Sequence, residues 1–200
     1  MILSQEIQEM PYQDFVAKLV KSGEVMDTEI SVREEELLDS VDAICSHCDT
    51  LAQDAFLFFA TCENNQRSKV LEFKHMGTGL RGESGELSDP VKKLVIYRKS
   101  VLSEQDGVSI TDNVIEELGD LMFFHTGYNA IVIETNWGDP DEMLLELMKD
   151  FLKLWNDLYA SVTGKITIEM AVQCNKVKLA KRYASLSYSD EQARDRADKK

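Results

Sequence analysis

No stretch of this chain is apolar for long enough to cross a membrane: the longest run, AFLFFA, covers residues 55–60, whereas a spanning helix needs about 20. The start, MILSQEIQEM, lacks the basic segment and long apolar core of a secretory signal, so none is expected. Cysteine is sparse, and its four copies read as reduced thiols of a cytoplasmic protein rather than a disulfide framework. Strand signals are nearly absent, with no hairpin dipeptide between alternating segments, and neither an internal repeat nor a low-complexity segment occurs. Basic charge is also scarce. Lys and Arg number 22 against 36 Asp and Glu, a net charge of −14. That excludes a nucleic-acid polymer as the main partner, because phosphate backbones need a basic surface.

What remains is helical periodicity. At 200 residues and 44% apolar, the chain suffices for a single all-α domain over residues 1–200. A first short helix is expected over 4–21, stopping near Gly23. Ser31 and Glu34 form a capping box for a long helix over 32–62, with the stripe Leu37, Val41, Ile44, Cys48, Leu51, Ala55 and Phe59. A third helix carries Met76, Leu80, Leu87, Val91 and Leu94, and is expected to break or kink at Asp89–Pro90 before resuming through VKKLVIYRKS. After a polar linker, SEQDGVS, Asp112 is expected to cap the next helix. Asp139 and Pro140 are expected to open an amphipathic helix over 140–160. A long helix over 165–183 and a short one over 189–198 complete an all-α helical bundle with extra helices.

Charge is unevenly spread. Residues 174–200 hold eight basic and four acidic residues, a local +4, so the first 173 residues carry −18. An acidic body suits cations, and a basic tail suits phosphates.

The stretch GLRGESGELSD, residues 79–89, places Glu83 and Glu86 three apart, on one face of a helix. Glu117 and Asp120 in EELGD repeat the spacing on another. If the two helices pack antiparallel, four carboxylates converge, and two such charges about 4 Å apart repel by roughly 4 kcal/mol at an effective dielectric of 20. A divalent cation relieves that repulsion, and oxygen ligands favour Mg2+ or Mn2+ over zinc or copper. Gly82, Gly85 and Gly119 flank the acids, where a missing side chain lets backbone, metal or ligand approach. The competing reading leaves these acids facing solvent, as most helical glutamates do.

The runs GLRGESGELSDPVKK and NVIEELGDLMFF, with NKVKLAKRYASLSYSDEQARDRADKK at the end, resemble the MazG-type all-α nucleoside triphosphate pyrophosphohydrolases. Their signature is E-x-x-E on one helix and E-x-x-D on the next. The resemblance spans roughly 70–134 and 173–200, and the helices at 32–62 and 140–160 look like additions. It implies a magnesium-dependent hydrolase that cuts a (deoxy)nucleoside triphosphate between the α- and β-phosphates, releasing monophosphate and pyrophosphate. It also implies Glu83, Glu86, Glu117 and Asp120 as metal ligands and catalytic groups, with Asn175, Lys178 and Arg182 on a phosphate-binding helix. Small bundles of this type resemble half-sites completed across a two-fold axis, so a homodimer or homotetramer is expected. Lys92 and Lys93, one to two turns past the acids, are within reach of a phosphate. Two alternatives stand beside this reading: an inactive helical protein that binds nucleotide or assembles, and a phosphohydrolase of nucleoside diphosphates.

Smaller signals point elsewhere. Cys45, His47 and Cys48 form half a zinc motif with no second pair, on an apolar helix face. Cys62 and Cys174 read as small core residues. Glu72 and His75 have the spacing of a di-iron ligand pair, but no second such motif accompanies them.

Overall fold

A computed structural model of the chain describes residues 10–19, 30–61, 67–105, 107–183, 189 and 191–192. The chain divides into two compact units, Met1–Val32 and Arg33–Lys200. The described part of the first holds one helix, α1 (Tyr12–Leu19); the remainder of the helix expected over 4–21 lies outside the described residues. In the second unit follow α2 (Val32–Thr61, whose first residue belongs to the other unit), α3 (Arg67–Val95), β1 (Glu104–Gln105), β2 (Val108–Ser109), α4 (Ile110–Thr135), α5 (Met143–Thr163) and α6 (Ile168–Arg182). The protein is thus mostly helical, as the periodicity implies. No helix among the described residues is long and apolar enough to cross a membrane.

The apolar stripe of α2 is the core stripe: Leu37, Val41, Ile44, Cys48, Leu51 and Ala55 are all buried. Its close partner is α3. A Cβ on Gly77 would stand 3.0 Å from the Ala55 Cβ and 3.1 Å from the Ala52 Cα, so small residues on both sides set this crossing. Cys45 adds a bond from Sγ to the Ser84 carbonyl at 3.2 Å.

Helix α3 is one continuous helix through Pro90, so the break expected as one alternative there does not occur, and it ends at Val95 rather than continuing to Ser100. The proline removes one hydrogen bond, to the carbonyl of Glu86. Glu86 is exposed, so water can take that carbonyl, while Pro90 itself is buried beside Leu87, Val91 and Leu94.

Helices α3 and α4 are antiparallel. Contacts pair Lys69 with Glu134, Phe73 with Tyr128 and Gly79 with Phe124, advancing along one helix as they retreat along the other. Between them the expected linker forms a minimal hairpin, with Glu104 paired to Ser109 and Gln105 to Val108. Gly107 supplies the left-handed φ of 82° that its turn requires. The sequence reading missed this hairpin because the two-residue strands show no alternation. The start of α4 also differs from expectation. Ser109 is the N-cap, accepting from the Asp112 N–H, and its hydroxyl donates to Asp112 Oδ2 at 2.7 Å.

Helix α5 begins at Met143, three residues later than expected, because Asp141 rather than Asp139 accepts the free N–H of Leu144. It buries Leu144, Met148, Phe151, Leu152 and Trp155. Asn156 then exchanges two bonds with Ile166, Nδ2 to O at 2.9 Å and Oδ1 from N at 2.8 Å, fixing the loop into α6. Thr167 caps α6 by accepting from the Met170 N–H. The short helix expected over 189–198 lies mostly outside the described residues.

Candidate metal centre

Helix α6 lies across α4 because residue 119 has no side chain. A Cβ there would meet the Ala171 carbonyl oxygen at 2.5 Å and the Asn175 Cβ at 2.9 Å. Glycine costs about 1 kcal/mol inside a helix; here it permits a close crossing. That crossing brings α6 onto Asp120: Asn175 Nδ2 donates to Oδ1, and Lys178 Nζ donates to Oδ2. Lys178 also reaches Glu116 Oε1 at 3.2 Å. Asn175 is buried, as polar side chains are when their bonds are made.

Facing this pair across the α3–α4 contact is Glu83. Ligand oxygens of Glu83, Glu117 and Asp120 all lie within 4.8 Å of one another, and the three could hold a metal ion. At that spacing two full charges repel by about 3.5 kcal/mol at an effective dielectric of 20. The cluster answers by holding protons. Burial, then the charges of Asp120 and Glu86, push the Glu83 carboxyl up to about 7, while Lys178 and the carboxyl contact with Glu117 act the other way. Burial, then Glu86, Glu83, Asp120 and Glu116, push Glu117 up to about 8. Glu117 Oε2 is buried and has no hydrogen-bond partner among the described residues. An unpartnered buried oxygen beside two other carboxylates suits a hard cation such as Mg2+ or Mn2+, with no nitrogen or sulfur in the set to favour zinc or copper.

Of the four acids singled out in the sequence, three converge and Glu86 does not. Its side chain is exposed, one turn beyond Glu83, and acts on Glu83 and Glu117 only as a charge. Gly82 and Gly85 are likewise exposed, and no described atom lies within 4 Å of a Cβ built on either. Their freedom is therefore not used for packing within the described chain, unlike that of Gly119.

The basic candidates divide in the same way. Lys178 keeps its proton: burial would lower its pKa, but the hydrogen bond and charge of Asp120, with Glu116, raise it. Arg182 closes α6 one turn beyond Lys178. Lys93 lies ten residues past Glu83, about 15 Å along the helix, and its ammonium sits 2.5 Å from Asp89. Lys92 lies over the Tyr97 ring, 5.5 Å from its centroid.

Glu116 was readable only as a neighbour of Glu117, and its pairing with Lys178 across 62 residues left no local signal. A second polar centre was missed altogether. His47 Nε2 donates to Asp141 Oδ1 at 2.8 Å, and His125 Nε2 to Oδ2 at 3.0 Å. Asn129 exchanges two bonds with the Asp141 backbone, both at 2.8 Å. This clamp ties the start of α5 to α2 and α4. It also accounts for the half zinc motif: His47 turns to Asp141, Cys45 to Ser84, and Cys48 into the core. Cys174, expected in the core, is exposed. Lys69 pairs with Glu72 at 3.0 Å, and the His75 ring packs edge-on against Phe124.

Comparison of the chain with protein-family models, with curated proteins and with solved structures returns no match.

Proposed function

We propose that this chain is a magnesium-dependent nucleoside triphosphate pyrophosphohydrolase of the MazG-like all-α kind, converting a ribo- or deoxynucleoside triphosphate and water into monophosphate and pyrophosphate. The observation that carries the reading is the Glu83–Glu117–Asp120 triad, on facing helices, with Asn175 and Lys178 brought against it from a third. Mg2+ or Mn2+ held by these three acids would neutralise charge on phosphate oxygens and make water more acidic. Glu86, exposed one turn away, adds negative charge to the site.

The chain's own groups supply the rest. An ionised triad carboxylate accepts the proton of the attacking water. Lys178 and Arg182 offer the charge-assisted donors that phosphate oxygens take, and Asn175 fixes the orientation of Asp120. The reading includes a cytoplasmic protein that works as a homodimer or homotetramer. A monomeric mass in light scattering at micromolar concentration would remove that part.

The reaction is tested by incubating purified protein and Mg2+ with ribo- and deoxynucleoside triphosphates in 18O-labelled water. Monophosphate carrying the label, together with pyrophosphate, is the expected result. Orthophosphate as the primary product points to cleavage at the terminal phosphate, and turnover of nucleoside diphosphates in place of triphosphates points to a diphosphate phosphohydrolase. Absence of turnover with retained nucleotide binding points to a binding protein.

A further inference from the structure

The two ends of the triad are in different states. Glu117 Oε2 has no partner among the described residues, whereas both oxygens of Asp120 are taken, one by Asn175 and one by Lys178. The ammonium that takes Oδ2 is held in place by a second acid, Glu116, at 3.2 Å, and the Lys178 side chain is only 12% exposed. A divalent cation bound to Asp120 would face this ammonium across one carboxylate, and like charges so close repel strongly where water is sparse.

We infer that Lys178 is a resident counter-ion occupying the metal's place on Asp120, so that divalent cation binds tightly only together with a polyphosphate anion that draws the ammonium away. This rests on reading the triad as a metal–triphosphate site. The lysine suits the role: its stem is flexible and its three donors rotate, so it can move to a phosphate oxygen while Asn175 still holds Asp120. Cation and anion then bind with positive coupling, and each raises the affinity of the other by the same factor. Lys178 acts through Asp120 and is a positioning residue. Its service is to keep the empty acidic site neutralised and closed to free cations.

The test is calorimetric titration of metal-free protein with Mn2+ alone and with preformed Mn2+–tripolyphosphate. Wild type should bind Mn2+ alone at least about tenfold more weakly than Lys178→Met does. Lys178→Gln, a second neutral variant, guards against a folding defect in the first, and Lys178→Arg should restore weak binding. Lys176→Met removes the same charge from an exposed position on α6 and should change Mn2+ affinity less than about threefold. Wild type should prefer Mn2+–tripolyphosphate over Mn2+ by a factor that collapses in the neutral variants. If those variants bind Mn2+ no more tightly than wild type, or Lys176→Met matches them, the counter-ion role is overturned while the metal site stands. If no protein binds Mn2+, and Asp120→Asn behaves as wild type, the metal reading falls and this proposal with it.

Discussion

Gly119 and Asn175 meet so closely that a Cβ on the glycine would stand 2.9 Å from the asparagine's own Cβ, where α6 crosses α4. Gly119→Ala should therefore push α6 off α4 and cost about 1–3 kcal/mol, as overpacking does. Activity should fall further than stability, because Asn175 and Lys178 move with α6. Gly82→Ala and Gly85→Ala meet open space and should each stabilise the chain by about 0.5–1 kcal/mol through helix propensity and a less flexible unfolded state. Urea denaturation of the three variants checks the opposite signs.

Charge removal should rank the acids. Glu83→Gln, Glu117→Gln and Asp120→Asn each remove a converging oxygen charge, and pyrophosphate release should drop by about 10²-fold or more. Glu86→Gln removes an exposed charge, and the loss should stay within about tenfold. Equal losses at all four positions, measured under single-turnover conditions, would place Glu86 among the direct ligands.

The metal-free protein should lose stability as pH rises through the window between the ordinary carboxylate value and the raised ones. Glu83 and Glu117 hold protons up to about 7 and about 8 in the fold, whereas the unfolded chain releases them near 4.5. The native state binds more protons in between, so the benefit is complete below pH 4.5 and gone above pH 8. Both groups are partly solvated, so screening reduces the combined effect to the order of 1–2 kcal/mol. Thermal unfolding between pH 5 and 8 should show this fall. Glu117→Gln should flatten it, and Mg2+ supplied together with tripolyphosphate should oppose it most strongly at pH 8, where protons no longer compete.

At Asp141 the sign is opposite. Burial alone would raise its carboxyl, but the Leu144 N–H, the His47 hydrogen bond and the imidazole charges hold it below the usual carboxylate range. Its contribution is present above the ordinary aspartate value and is lost as pH falls through the lowered one. Asp141→Asn leaves two imidazoles facing an amide and should cost about 1–3 kcal/mol at pH 7. Acid unfolding followed by circular dichroism should begin from that lower stability and show a shallower loss below pH 4.

Local physics made the helices legible. The stripe from Leu37 to Ala55 recurs at helical spacing, and every member is buried. The carboxylate pairs were legible for the same reason, since a three-residue spacing shares one helix face. Helix starts were harder. Ser109 and Asp112 are both good caps, and only tertiary placement chose the first. Pro90 was a breaker by local rule, yet burial of its ring outweighed one missing bond. The His47–Asp141 clamp joins residues 94 apart, and nothing within either segment announces the other. Exclusion of Glu86 from the triad depends on how α3 is rotated against α4, which spacing alone does not fix.

The counter-charge of the acidic site comes from the last described helix, and this has a consequence for synthesis. Lys178 trails Asp120 by 58 residues, a delay of about 3–12 s at 5–20 residues per second. During that interval α3 and the acid-bearing part of α4 precede Lys178 and can pair before its ammonium is there to sit against Asp120 and Glu116. The nascent hairpin must keep its carboxyls protonated, borrow cations from the surrounding solution, or stay open until α6 arrives.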